Sequence, residues 1–471
     1  MAEQFNLERR SRRLRQSATF VLLGVVVAVF ALALGQSGDR LPTSSVADPI
    51  DEMWVLIAAS LVFFMQAGFL LFEVGLAREV HAPAVAMKNL VDWVVGSLAF
   101  FFIGFGLMFG DGTPMIGSVT WDLDELFAAT STVSGPTFFL FQLAFAGTAI
   151  TIISGSLVER MTFLAYVSFS AVVGLLIYPV YGHWVWGGTF TDEAFSGGTI
   201  GWLAEQGFHD FAGGTVVHLT GATAALIGVI MVGPRIGRFR PNGAVRIFPP
   251  SSIPMTAVGT LILWFGWFGF NGGSTLAFTQ DVPRIILVTN LSGVAGLAAA
   301  SLYAYLIEDR MDMVSKMIGG GLSGLVAITA GADVIGPLGA IVTGLVAGVL
   351  YNVGYELLIR MRIDDALGVV PAHGLAGIWG TLAVALFAPG SVLGRPRVEQ
   401  LTIQTFGVVV NIVWVVVTSV IAFSIIKRIV GLRVSPMREQ RGVDLELDDL
   451  PSPTIETMEE LADDELESLL D

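Results

Sequence analysis

The sequence predicts an all-α polytopic membrane protein, and three observations support this fold class. Charged residues make up 14% of the 471-residue chain, whereas soluble domains average about 25%. The mean hydropathy is +0.73, and the apolar residues form long continuous runs of the length that a membrane helix needs. The 55 glycines suit close helix packing in lipid. The chain has no cysteine, which excludes disulfides, thiolate metal sites and a cysteine nucleophile.

Twelve apolar runs of about 18 residues or more are candidate membrane helices. They cover residues 17–36, 53–76, 89–110, 136–158, 162–186, 211–233, 254–273, 285–306, 314–331, 336–358, 370–389 and 403–427.

The first run has the layout of a signal peptide or signal anchor, because arginines precede it and small residues lie near its end. We therefore predict an N-terminal segment at 1–48, an eleven-span membrane domain at 49–428 and a cytoplasmic tail at 429–471. The mature membrane domain would begin outside the cell membrane and end inside.

Lysine and arginine are distributed unevenly between the two sides that this assignment defines. The inner segments hold 21 of the 25 basic residues, Lys88 among them, and the outer segments hold four. Cytoplasmic loops carry such an excess in membrane proteins. The bias supports both the number of spans and the orientation.

Two histidines lie where lipid-spanning helices are predicted. His218 and His373 fall within apolar runs, whereas His81, His183 and His209 fall at predicted loop or interface positions. Each of the two lies in the fifth helix of a five-helix half, which predicts a 5+5 inverted repeat plus a last helix. Paired imidazoles could bind a small polar solute or relay a proton, with two satisfied core histidines as the alternative. No nearby cysteine or carboxylate completes a metal site.

Polar and aromatic residues are also predicted at the outer ends of several runs. Asp210 heads the run that carries His218 and could cap that helix, lend negative potential to a cation site, or do both. Trp186 and Ser274 end two other runs, and Phe141 lies below them. A tryptophan in this position is commonly an interfacial anchor. Together these groups could instead form a cation cage, with cation–π attraction of roughly 0.5–2 kcal/mol.

Four ordered segments resemble motifs of the ammonium transporter family (Amt/Mep/Rh). They are FQLAFAGTAITIISGSLVER at 141–160, DFAGGTVVH at 210–218, GWFGFNGGS at 266–274 and IDDALGVVPAHGLAGIWG at 363–380. The resemblance covers about residues 50–440. It implies a homotrimer with one pore in each protomer, and no cofactor or nucleic-acid partner.

The resemblance also implies roles for individual residues. Trp186 and Ser274, with Phe141 beside them, correspond to the outer ammonium site of Amt-type members, and Trp202 is the alternative tryptophan. Asp210 corresponds to the essential aspartate of the family. Phe145 and Phe270 correspond to the stacked phenylalanine gate of the family, and His218 and His373 correspond to its twin histidines.

The function implied is ammonium transport. NH4⁺ would bind outside and lose a proton, and NH3 would pass the gate and the histidines, with or without a relayed proton. The segment 431–444 resembles a cytoplasmic regulatory motif where PII-type signal proteins dock. An ammonium sensor and an Rh-type gas channel are alternatives. An intramembrane hydrolase is disfavoured because Ser134 and Ser154 lack a nucleophile context.

The net charge of −15 is mostly a property of the tail. Residues 444–471 contain twelve acidic residues and no basic ones. The rest of the chain is therefore nearly balanced. The tail could be solvated, or could form a short amphipathic helix at 455–470.

Overall fold

The computed structural model describes residues 48–122, 132–188, 200–307 and 313–442. The apolar run at 17–36 and the acidic tail lie outside the described residues. In chain order the elements are α1 (Pro49–Leu76), α2 (Glu79–Phe109), β1 (Gly112–Thr113), β2 (Ile116–Gly117), α3 (Gly135–Leu157), α4 (Phe163–Trp186), α5 (Trp202–Glu205), α6 (Gly214–Val232), α7 (Ile253–Thr275), α8 (Val282–Ile307), α9 (Met313–Thr329), α10 (Pro337–Arg360), α11 (Val370–Phe387), α12 (Gly390–Leu393), α13 (Arg397–Ile429) and α14 (Pro436–Arg441).

The all-helical, membrane-spanning class is confirmed. Within the described ranges, ten helices are long and apolar enough to cross a membrane. The predicted run at 314–331 corresponds to α9, which has 17 residues and falls short of the usual spanning length. The count of eleven spans therefore stays a prediction.

Glycines allow the helices to approach closely, as expected for packing in lipid. A Cβ atom added at Gly259 of α7 would lie 2.5 Å from the backbone nitrogen of Phe72 in α1. A Cβ atom at Gly344 of α10 would collide with the carbonyl oxygen of Ser292 in α8. Backbone contacts of this kind fix the helices around the central residues.

Several helices contain a short π-helical segment. The π segments lie at Phe100–Gly104, Val173–Ile177, Gly214–Leu219 and Val370–Leu375. The last two open α6 and α11 and contain His218 and His373. Because π turns widen the helix locally and are frequent at functional sites, these two segments direct attention to the histidines.

Candidate functional site

Three neighbouring phenylalanine rings form a row inside the helix bundle. This row, made of Phe141, Phe145 and Phe270, is called the aromatic file below. The Phe145 ring on α3 stacks on the Phe270 ring on α7, with centroids 4.0 Å apart and an interplanar angle of 19°. Phe141, one turn before Phe145, has its ring centroid 4.7 Å from that of Phe145. All three rings are buried. Closely stacked rings of this kind leave no room for a hydrated ion.

The two histidines meet next to this stack. The Nδ1 atoms of His218 and His373 lie 3.2 Å apart, so that one can donate a hydrogen bond to the other. The His218 ring also stacks against Phe270, with centroids 5.5 Å apart, and against Trp267. Both imidazoles are buried, and His218 Nε2 has no hydrogen-bond partner among the described residues. This nitrogen is therefore available to a small solute.

Asp210 is the cap of α6. Its Oδ1 accepts hydrogen bonds from the backbone nitrogens of Gly213 and Gly214, at 2.9 and 2.7 Å. Its Oδ2 accepts from those of Thr215 and Val216, at 2.7 and 3.0 Å. A helix start leaves such N–H groups without partners. One carboxylate therefore satisfies the whole first turn and fixes the segment that carries the histidine.

The outer aromatic residues are joined to this cap. Trp186 Nε1 donates a 2.7 Å hydrogen bond to the Asp210 carbonyl, and its ring lies 6.1 Å from that of Phe145. Trp202, the alternative tryptophan, contacts Trp184 instead. The structure thus brings Trp186, rather than Trp202, to the end of the ring file.

Ser274 occupies the last turn of α7. Its Oγ donates a 2.9 Å hydrogen bond to the Phe270 carbonyl. A Cβ atom at the neighbouring Gly273 would lie 2.7 Å from the Phe141 ring. The residue next to the serine therefore packs against Phe141, and the serine hydroxyl oxygen keeps acceptor capacity.

The two histidines share one further feature. Asp210 precedes His218 by eight residues, and Asp365 precedes His373 by the same number. Asp365 Oδ2 accepts a 2.7 Å hydrogen bond from Val370 N at the start of α11, as Asp210 does at the start of α6. The matching spacing is visible in the sequence, but sequence analysis did not use it.

Charged residues in the turn after α3 and in the loops before α7 and α11 form a buried network that sequence analysis missed. Arg235 Nε donates to Asp364 Oδ2 at 2.8 Å, and Arg235 also pairs with Glu159. The neighbouring guanidiniums outweigh burial and lower the pKa of both carboxyls. Arg160 donates to the Asp364 carbonyl at 2.6 Å, and burial lowers its pKa to about 10. The network ties α3 to the loops before α7 and α11.

Two polar side chains lie in settings that the sequence did not predict. His183, predicted at a loop or interface, is buried in α4, where its ring nitrogens face the carbonyls of Met108 and Thr113. Lys88, counted with the inner loops, is buried within α2. In both cases contacts between distant segments satisfy a polar side chain inside the bundle, which local sequence does not reveal. The described residues contain no group of three or more potential metal ligands.

The pH dependence of stability should include the pair formed by His209 and Asp333. His209 Nε2 lies 3.0 Å from Asp333 Oδ1, and this carboxylate raises the pKa of His209 despite burial. A group whose pKa is higher in the folded state than in the unfolded state stabilises the fold fully at pH values below its unfolded-state pKa. This stabilisation is lost as the pH rises through the folded-state pKa. The side chains are 32% and 24% exposed, so screening limits the effect to about 1 kcal/mol.

Thermal unfolding of the wild type and of His209→Gln, measured from pH 6 to 9, tests this. The wild type should be more stable at the acidic end, and the two should converge at the alkaline end. Asp333→Asn should behave as His209→Gln does. A difference that grows with pH would contradict the assignment.

The fold and the buried polar centre define a multi-pass membrane protein. The profile of the Ammonium Transporter Family matches residues 53–449. The chain therefore belongs to this family.

Similar proteins from archaea and a solved structure agree with this assignment. The chain is 40% identical over 421 residues to ammonium transporter Amt2 of Archaeoglobus fulgidus, covering 84% of this chain and 86% of the relative. It is 36% identical over 418 residues to ammonium transporter Amt1 of Haloferax mediterranei, covering 85% of this chain and 78% of the relative. A structure titled "Sensor Amt Protein" is 38% identical with a TM-score of 0.80, covering 85% of this chain and 98% of that one. These relatives are named as transport or sensor proteins and not as enzymes.

Proposed function

We propose that the chain takes up ammonium through the aromatic file and the histidine pair. NH4⁺ binds at the outer end, between the Trp186 and Phe141 rings and the Ser274 hydroxyl. It gives up a proton there to water on the outer side. NH3 then passes the Phe145–Phe270 stack and follows His218 and His373 towards the cytoplasm.

One observation carries this proposal: the Phe270 ring stacks on the rings of both Phe145 and His218, with centroids 4.0 and 5.5 Å apart. The apolar gate and the polar imidazoles are therefore consecutive along one path. Trp186 continues the file beyond Phe145 and His373 continues it beyond His218. A neutral solute would exchange ring contacts for hydrogen bonds without meeting bulk water.

This path discriminates NH4⁺ from K⁺ by chemistry. Both ions are attracted to an outer cation site, because cation–π attraction depends mainly on charge. A dry, low-dielectric path imposes a large penalty on either charge. Ammonium escapes the penalty by losing a proton, which potassium cannot do.

Charge-movement recording on vesicles containing the purified protein tests the function. A step of ammonium on the outer side should produce a protein-dependent current or internal alkalinisation, and a potassium step should produce neither. Equal responses to both cations, or no response to ammonium, would rule the proposal out. Empty vesicles are the control for passive NH3 permeation.

The finer architecture belongs to the same proposal. The matching π segments and aspartates of α6 and α11 support a 5+5 inverted repeat with α9 as a short spanning helix. We place the mature N-terminus outside and the tail from 429 onward in the cytoplasm, with membrane domain boundaries at 49–428. Family resemblance adds a homotrimer and a PII-type signal protein as partners.

A sensor is the second candidate, and the tail supports it. Glu439 of α14 is buried and accepts hydrogen bonds from Arg433 Nη2 at 2.8 Å and from the backbone of Ile236 at 2.6 Å. Arg78 donates to its carbonyl at 3.1 Å. The described part of the tail, up to residue 442, is thus attached through α14 to the loop segments that carry Arg78 and Ile236. Ammonium binding detected by tryptophan fluorescence, without flux into vesicles, would favour the sensor over the transporter.

The gate residue Phe270 provides a separate prediction. Phe270→Ala should open a cavity between Phe145 and His218, which costs about 3–5 kcal/mol of stability for a buried phenylalanine. The gap admits water, so potassium current should appear. Phe265→Ala is the matched control, because Phe265 lies on the same helix and is 54% exposed. Potassium exclusion that survives Phe270→Ala would show that the stack is not the gate.

A further inference from the structure

Three ionisable side chains lie inside the helical bundle but outside the aromatic file. Glu73 is on α1, and Lys88 and Asp92 are on α2. They are only 2%, 4% and 0% exposed. Ionisable groups within membrane helices are expensive and mark functional sites by default. The proposed ammonium path uses none of them.

The carboxyl groups are held by side chains from three other positions. Glu73 Oε2 accepts hydrogen bonds from Asn89 Nδ2 at 3.0 Å and from Ser154 Oγ at 2.8 Å. Asp92 Oδ2 accepts a 2.5 Å hydrogen bond from the Tyr166 hydroxyl. The cluster therefore joins α1, α2, α3 and α4 in the half of the bundle near the buried ion-pair network.

The charges of this cluster do not cancel. Lys88 Nζ donates a 2.7 Å hydrogen bond to the Met161 carbonyl, so the cluster of Glu73, Lys88 and Asp92 holds one ammonium group and two carboxyl groups. Arg160, the next cation, donates its hydrogen bonds to backbone carbonyls. With Glu73 and Asp92 both ionised, one negative charge would remain in a low-dielectric interior. Binding a single proton removes it.

Unpartnered polar atoms identify where a proton can be held. Asp92 Oδ1 is buried and has no hydrogen-bond partner among the described residues, and the same is true of Asn89 Oδ1 and Gln66 Nε2. Buried polar atoms almost always have partners. A cluster with free donor and acceptor positions can therefore accept a proton, or a water that carries one.

The cluster is close to the histidine segment. Glu73 Oε1 lies 3.6 Å from the Cβ position of Gly155 on α3, and Val369 Cγ2 lies 2.8 Å from the same position. Val369 immediately precedes the π segment that contains His373. Because residue 155 has no side chain, the Glu73 carboxyl, Leu367 and Val369 all approach the same position, next to the start of α11.

We propose that Glu73 and Asp92, with Lys88, form a proton-binding site at the inner end of the ammonium path. This inference rests on the proposed function. The O–H bond of the Glu73 carboxyl breaks, and its proton goes to the nitrogen lone pair of arriving NH3, giving NH4⁺ and a carboxylate. A hydronium ion from the cytoplasm returns the proton to the carboxylate and leaves as water.

The charged and titratable groups around the site determine which substitutions can test it. Glu73 comes from α1, Lys88 and Asp92 from α2, Tyr166 from α4 and Arg160 from the turn after α3. On α3, the polar side chains near the site are the neutral hydroxyls of Thr151 and Ser154. Glu73→Gln and Asp92→Asn each remove one carboxyl group and keep its shape.

Infrared spectroscopy of the full chain in lipid tests the site without ammonium. The wild type at neutral pH should show the carbonyl stretch of a protonated carboxylic acid, and Glu73→Gln or Asp92→Asn should abolish or shift it. Glu356→Gln is the control, because Glu356 pairs with the exposed Arg360 on α10. Absence of the band from the wild type, or its persistence unchanged in both variants, would overturn the proposal.

Ammonium-driven alkalinisation of the vesicle interior, recorded from several starting internal pH values, tests the role. Removing a proton-transfer group typically lowers a rate by about a hundredfold or more. Glu73→Gln should show a reduction of this order and lose the pH dependence of the wild type, and Glu73→Asp should recover part of both. A wild-type rate of alkalinisation and a wild-type pH profile in Glu73→Gln would overturn the role. A wild type that shows neither ammonium-driven alkalinisation nor current refutes the proposed function instead, while the infrared result still decides the site.

Discussion

His218→Ala is expected to lower the ratio of ammonium to potassium flux by at least about tenfold, equivalent to about 1.4 kcal/mol. The imidazole fills the space between Phe270 and His373, stacking on the first and sharing a hydrogen bond with the second. Alanine leaves His373 Nδ1 without its partner and opens a cavity beside the gate. Water entering this cavity shortens the dry part of the path, on which exclusion of potassium depends.

Val217→Ala is the matched control for this variant. Val217 is the preceding residue of the same π segment and is equally buried, but it carries no polar group. Its truncation removes volume without removing the imidazole. The two variants should be compared in vesicles of equal protein content with ammonium and potassium gradients. An unchanged flux ratio in His218→Ala, or an equal fall in Val217→Ala, would contradict a selective role for the histidine.

The spanning helices were predictable because the thickness of a bilayer fixes the length of an apolar run. The predicted run at 254–273 compares with Ile253–Thr275, and that at 162–186 with Phe163–Trp186. Ends set by capping are less visible. The run at 211–233 begins before Gly214, where α6 starts, because Asp210 and its hydrogen bonds set the first turn.

The central residues were also accessible from sequence, but for a different reason. His218 and His373 are conspicuous because they interrupt apolar runs, and rare ionisable residues in lipid draw attention. Their contact was suggested by the predicted repeat, whereas the 3.2 Å separation needed the folded bundle.

Glu73 and Asp92 interrupt predicted runs in the same way and were missed. Glu73 lies near the end of the run at 53–76, where an acidic residue is easily taken for the start of a loop. Lys88 was counted as an inner loop residue because it precedes the run at 89–110. Their common environment arises only when α1, α2 and α3 pack together, so pattern alone does not associate them.

Asp210→Ala is expected to lower the stability of the fold by at least about 3 kcal/mol. The substitution removes the acceptor of four backbone N–H groups in a buried turn. An unsatisfied buried donor costs about 1–3 kcal/mol, and loss of an exposed cap alone about 0.5–2 kcal/mol. Frayed residues between Gly213 and Val216 would also displace His218, so transport should fall together with the thermal midpoint.

Two further variants separate the cap of Asp210 from its charge. Asp210→Asn retains one acceptor oxygen and removes the negative charge, so it should be more stable than Asp210→Ala while losing any electrostatic contribution to cation binding. Asp281→Ala is the control, because its side chain is 66% exposed and pairs with Arg284. If Asp210→Asn transports ammonium at the wild-type rate, the carboxylate serves α6 alone. If Asp210→Asn keeps its thermal midpoint but loses transport, the charge itself acts on the ammonium ion. Wild-type stability of Asp210→Ala would show that the four hydrogen bonds do not hold the turn.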